Sequence, residues 1–202
     1  MCIRDRFGVE FGFVPGKAQF HFISRGPVLL RMVSGKRLML QSGDALFIPN
    51  GDGHVLLSDD QAAVVNVSRL PSEPVCDSVS CVKNACDDAK NDSAIIFSAC
   101  MDFELGGMQP LVKAMPEVMM VSSLLTSRPE IPPMLAAMER ESLTRQAGYA
   151  GILARLADVV AALIVRGWVE CGCGNATGWV QVLRDPKLAK AIYVMHQQPG
   201  IN

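Results

Sequence analysis

The chain has 202 residues, half of them apolar and 19 % charged, with a formal net charge of −1. That length suits one domain, or one plus a fragment of a second, and the apolar content excludes wholesale disorder. No block of Lys and Arg is present, so this stretch by itself lacks the basic face with which DNA readers neutralise phosphates. The most apolar run, 152–168, is interrupted by Arg155, Asp158 and Arg166 and reads as a buried amphipathic helix rather than a membrane span. The opening "MCIRDRFGVEF" has no apolar stretch after its charges, unlike a secretory leader. A cytoplasmic location is therefore expected, with the seven cysteines mostly as thiols. Residues 1–6 run into the next stretch without a turn and read as a non-native or truncated start.

From Val9 to Val67 the chain alternates short apolar runs with tight turns. "VEFGFV", "AQFHFIS", "PVLLRMV", "KRLML", "DALFIP", "HVLL" and "AAVVNV" are separated by "PGK", "RGP", "SGK", "QSGD" and "NGDG". Short strands with Gly-rich turns predict an all-β sandwich or barrel. The polar segment 71–93 is Ser- and Asp-rich and reads as a long surface loop. "AIIFSACMDFEL" then reads as one more long strand that returns to the barrel.

After that strand the period changes. "IPPMLAAMERESLTRQ" puts Met134, Leu135, Met138 and Leu143 near one helical face, with Pro132 and Pro133 tolerated in the first turn. "YAGILARLADVVAALIVRGWV" follows with a stripe through Leu153, Leu156, Val160, Leu163, Ile164 and Trp168. Two such helices in succession are expected to pack as a pair. Beyond the break at "CGCGN", Asp185 suits an N-cap and Pro186 the first position of a further helix, which Pro199 and Gly200 would close.

The stretch "GDALFIPNGDGH" carries Gly43, Pro49, Gly51 and His54 at the spacing of a strand, a tight turn and a second strand. A His placed there could bind a metal if other ligands converged on it, and His21 in "FHFISRG" is the upstream candidate. Metal-binding barrels of this type place a second His two residues after the first and a Glu several residues on. Here those positions hold Ile23 and the apolar "VLL" at 28–30. Two imidazoles without a carboxylate make a poor metal site, so none is expected, His21 and His54 remaining the only weak candidates. Strand alternation sets His21 opposite in sense to Phe20 and Phe22.

The cysteines offer less. Cys171 and Cys173 are too close for an ordinary zinc pair. Cys76, Cys81 and Cys86 could meet through their loop as a thiol-based redox response, with Cys100 a fourth redox candidate that also reads as a small core residue. No GxSxG, phosphate loop or HExxH is present, and three histidines leave few places for a Ser-His-Asp arrangement.

The order "FHFISRGPVLLRM", "QSGDALFIPNGDGH", a polar loop, "IIFSACMDFE" and "PLVKAMPEVMMV" resembles the cupin-type ligand-binding domain at the front of AraC-type transcriptional regulators. "ILARLADVVAALIVRGWV" is similar to the helix before the DNA-binding part in that family, and "GWVQVLRDPKLAKAIYVMHQQPG" to its lead-in.

The resemblance implies a mainly β fold with α, a cupin-like jelly-roll barrel followed by a helical dimerisation and linker region. It divides the chain into the suspect start (1–6), an effector-binding barrel (7–110), a helical region (111–176) and the first helix of a DNA-binding unit (177–202). It implies a bacterial, cytoplasmic sensor, not an enzyme, without a cofactor. A small effector would meet His21, Phe22, Phe47 and His54. A homodimer would form through Leu153, Leu156, Val160, Leu163 and Trp168. DNA contact would come only from helix-turn-helix units absent from this chain, and no membrane contact is implied. Two rivals stand beside it, a metal-dependent cupin enzyme of dioxygenase or isomerase type and a regulator that senses oxidants through cysteine.

Overall fold

The computed structural model of the chain describes residues 2–3, 6–76, 79–82, 94–102, 115–124, 128–171, 187 and 190. Two five-stranded sheets form a sandwich. The first runs in the order β1–β11–β3–β6–β12, made of Cys2–Ile3, Ala94–Asp102, Lys17–Arg25, Ala45–Ile48 and Met119–Met120. The second runs β5–β4–β7–β2–β8, made of Arg37–Leu40, Val28–Met32, His54–Leu57, Gly8–Phe11 and Val64–Asn66. Among the described residues no strand is shared by the two sheets, so the mainly β fold with α is present as two facing sheets that do not close on one another.

The predicted strands reappear nearly as read. The run "HVLL" is β7, and "AIIFSACMDFEL" supplies β11 over Ala94–Asp102, where it pairs antiparallel with the whole of β3. The polar segment is a correction. Inside 71–93, Ser72–Cys76 (β9) and Val79–Val82 (β10) pair as an antiparallel ribbon. Val75, Val79 and Val82 favour extended backbone, but the Ser and Asp residues between them leave no regular apolar alternation to read. Cys2–Ile3, within the suspect start, pairs with Ala94 and Ile95 at the edge of the first sheet.

Two cores flank the first sheet because β3, β6 and β11 are apolar on both faces. Between the sheets lie Val9, Ile23, Leu30, Leu46, Ile48 and Ile96. On the other face Phe20, Phe22, Phe47 and Phe97 meet a helical layer. That layer is α1, Ile131–Thr144, and α2, Tyr149–Cys171. Pro132 and Pro133 occupy the first turn of α1, where a missing N–H breaks no helical bond. The helix ends on Arg145 in left-handed conformation, with its N–H donated to the Glu141 carbonyl. Arg128 ties the layer together by pairing with Glu130 at 3.5 Å and with Glu170 near the end of α2.

The α2 stripe is spent within the chain. Leu153, Val160, Leu163 and Trp168 are buried, and Leu156 is packed against the same cluster. Amphipathic periodicity marks a buried face without saying what covers it, and here the chain's own sheet and α1 pack on the stripe. Ile152 and Val159, each 44 % exposed, are the large apolar residues α2 leaves to solvent. Cys100 is exposed rather than a core residue. It alternates onto the sandwich face of β11, two residues before the strand ends.

The turn before β7 depends on one glycine. Gly51 has φ +64°, and a Cβ there would stand 2.5 Å from the Lys17 carbonyl oxygen and closer still to that of Val14. Gly43 is also left-handed at φ +89°, but open space surrounds its Cβ position. Gly43→Ala is expected to cost about 1 kcal/mol from backbone strain alone. Gly51→Ala should cost at least about 2 kcal/mol more, because backbone rather than a side chain must move. Urea denaturation of the two variants gives the comparison, and equal losses would disprove the role of the Gly51 contact.

Candidate functional site

β3 and β7 lie in opposite sheets, and each turns one histidine into the space between them. His21 follows Phe20 in β3, so alternation aims it away from the helical layer. His54 opens β7, set by the turn through Pro49 and Gly51. Both are 1 % exposed, and their Nε2 atoms are 2.8 Å apart. His54 Nδ1 lies 2.9 Å from the Asp52 carbonyl oxygen, and His21 Nδ1 lies 2.8 Å from Ser98 Oγ, directly across the β3–β11 pair. Phe11 packs edge-on to His21 at 4.8 Å and stacks on His54 at 5.1 Å.

The carbonyl oxygen fixes every proton in this chain of contacts, because it can only accept. His54 Nδ1–H donates to Asp52, which leaves its Nε2 as an acceptor. His21 Nε2–H therefore donates to His54, which leaves His21 Nδ1 to accept the Ser98 hydroxyl proton. All four nitrogens are satisfied with both rings neutral. Burial agrees with neutrality. It lowers His21 well below the usual histidine range, helped by the neighbouring His54, and it lowers His54 against an opposing contribution from the Asp52 carbonyl bond. At the rim, partial burial raises the Asp52 carboxyl, with Glu117 adding to the effect.

A metal does not fit this donor set as arranged. Two imidazoles on one tetrahedral ion, with bonds of about 2.0–2.1 Å, hold their nitrogens roughly 3.3 Å apart. Here the two Nε2 atoms share a proton at hydrogen-bond distance, and both Nδ1 atoms have partners. Among the described residues no group of three or more His, Cys, Asp and Glu side chains is placed to hold an ion.

The four residues expected to meet an effector do not converge. His21 and His54 meet between the sheets. Phe22 and Phe47 are wholly buried on the opposite face of the first sheet, under the helices. Both belong to strands buried on two sides, and apolarity alone cannot say which face is which. Cys86 lies outside the described residues, and of Cys76 and Cys81 only the backbone is described, in β9 and β10.

Ser98, Phe11 and Asp52 were not singled out from sequence. Ser98 becomes meaningful only through the β3–β11 register, and Asp52 acts through a carbonyl that every residue possesses.

A cupin family model matches residues 3–170, and the chain belongs to the cupin family. No curated protein is significantly similar to it in sequence. Among the described residues no helix is long and apolar enough to cross a membrane.

The histidine pair predicts a pH dependence of stability. Both folded-state values lie below the ordinary 6.5, so above that pH both states are neutral and the pair contributes fully. As pH falls through the unfolded value the unfolded chain takes up protons first and stability is lost, by up to about 1.4 kcal/mol per pH unit per histidine. Urea midpoints from pH 7.5 to 5 should fall more steeply for the native sequence than for His54→Gln. Parallel slopes would show that the pair does not titrate as described.

Proposed function

We propose that this cupin chain is the effector-sensing and dimerisation part of an AraC-type transcriptional regulator. It would control DNA binding by a helix-turn-helix unit lying outside these 202 residues. One observation carries the reading, the two-faced use of β3. Its sandwich face bears His21, and its other face bears Phe20, Phe22 and Ser24 against the helices. Ser24 Oγ lies 2.7 Å from Ser142 Oγ of α1, both residues buried. Ser142 donates to the Glu139 carbonyl at 2.8 Å, so the Ser24 hydroxyl donates to Ser142.

A small effector that binds at the sandwich rim and displaces β3 would thus act on α1 directly. Population shift requires the effector to prefer one helix arrangement over another. Couplings of about 1–3 kcal/mol suffice for a useful response. A dimer through α2 would use the face of Ile152 and Val159, since the stripe behind them is covered by the chain's own sheet. Among the described residues no carboxylate stands with the two histidines to complete a metal site, which disfavours the metal-enzyme rival. The cysteine-sensing rival rests on residues whose side chains are not described, apart from Cys100.

Two measurements test this reading. The reading frame should continue into two helix-turn-helix patterns, and the complete product should retard a duplex carrying its own promoter region. A frame without them defeats the proposal. In this chain, Ser24→Ala and Ser142→Ala should show a coupling of about 1 kcal/mol in a double-mutant cycle. Amide exchange in α1 should also quicken in Ser24→Ala. Strictly additive losses would mean that strand and helix are not linked there.

A further inference from the structure

We propose that Ser98 is an acyl-accepting nucleophile, activated by a two-histidine relay through His21 and His54, and that its substrates are activated esters of short carboxylic acids. The inference is independent of the sensing role and stands on geometry. Nucleophile, base and orienting group must form successive hydrogen bonds, and here they do, at 2.8 Å and 2.8 Å, with the Asp52 carbonyl anchoring the far end at 2.9 Å. The direction is right as well. The only neutral proton arrangement the Asp52 carbonyl permits leaves His21 Nδ1 as an acceptor facing the Ser98 hydroxyl.

The step balances. Ser98 Oγ attacks the ester carbonyl carbon while its proton passes to His21 Nδ1. His21 Nε2–H passes to His54 Nε2, so the positive charge comes to rest on His54 and His21 stays neutral in its other tautomer. Collapse of the tetrahedral adduct breaks the carbon–oxygen bond to the leaving group, and the two protons return along the same path to protonate the departing oxygen. Water, deprotonated by the same relay, then frees the acid and restores Ser98. A relay suits this site better than a single base, because a cation on His21 would sit between Phe11 and the apolar sandwich. His54 lies nearer the Asp52 turn and already donates to its carbonyl.

Access and an oxyanion donor are present on the same face. Ser98 is partly exposed and Cys100, two residues along β11, is exposed, so solvent reaches β11 beside the buried Gln19. Gln19 faces Cys100 across the strand pair and lies diagonal to Ser98, within reach of a long side chain. Its amide Nε2 donates one hydrogen to the Gly12 carbonyl at 3.3 Å, and its second hydrogen is the candidate donor to a developing oxyanion. Phe13, one residue beyond Gly12 and 62 % exposed, supplies an apolar surface at the rim. A half-buried serine between β-strands admits a short acyl group and little more.

The test is labelling of the whole native chain by an alkyl fluorophosphonate, which reacts with activated serines and spares the thiols. Intact mass should show one adduct per chain, mapped to Ser98, lost in urea and absent from Ser98→Ala, whose fold is checked by circular dichroism. Gln19→Leu should slow labelling by roughly 10-fold or more. As a positioning residue, His54 is tested by pH profile, since His54→Gln should displace the pH dependence of the labelling rate rather than only lower it. Failure of the folded native chain to label, or an adduct that survives Ser98→Ala, overturns the proposal. A pH profile unmoved in folded His54→Gln overturns the relay.

Discussion

The hydrogen bond between His21 and His54 is the constraint on which the sandwich depends. It is a polar contact inside an apolar layer, and it joins β3 of one sheet to β7 of the other. An unsatisfied buried donor or acceptor costs about 1–3 kcal/mol, so four ring nitrogens in this place demand four partners. They find them only if Ser98, His21, His54 and Asp52 keep one mutual arrangement. The pair therefore sets the relative position of the two sheets more sharply than the surrounding Leu and Ile side chains, which tolerate sliding. Trp168 is the counterexample among the described residues, with a buried Nε1 that has no partner. Its large apolar surface compensates for that loss.

The same constraint gives β3 its double role. Its sandwich face is held by the histidine bond, by Ile23 packing and by the Gln19–Gly12 bond, and its other face by phenylalanine packing and the Ser24–Ser142 bond. A strand locked on both sides moves as a unit. His21 on one face of β3 and Ser24 on the other are joined to α1 with no intervening loop.

Much of the architecture was legible from residue order. Alternation and glycine-rich turns marked β2 to β8 and β11, and the 3.6-residue period marked α1 and α2, because local backbone geometry imposes both periods directly. Gly51 was recognisable as a turn residue, yet the reason no other residue fits there lies in the Val14 and Lys17 carbonyls, distant in sequence. The ribbon β9–β10 escaped because its Ser- and Asp-rich sequence carries too little apolar alternation to mark a strand.

The candidate site divides along the same line. That His21 faces opposite to Phe20 and Phe22 followed from strand period alone. That His21 and His54 touch each other, that Ser98 stands opposite His21, and that Phe22 and Phe47 serve the helices was decided by register and by the stacking of sheets. So was the fate of the α2 stripe. A one-dimensional pattern records which residues avoid water, and it carries no record of what they avoid it against. Only the tertiary structure brings residues 21, 54 and 98 into one hydrogen-bonded line, because contacts across dozens of residues are chosen by the packing of whole elements.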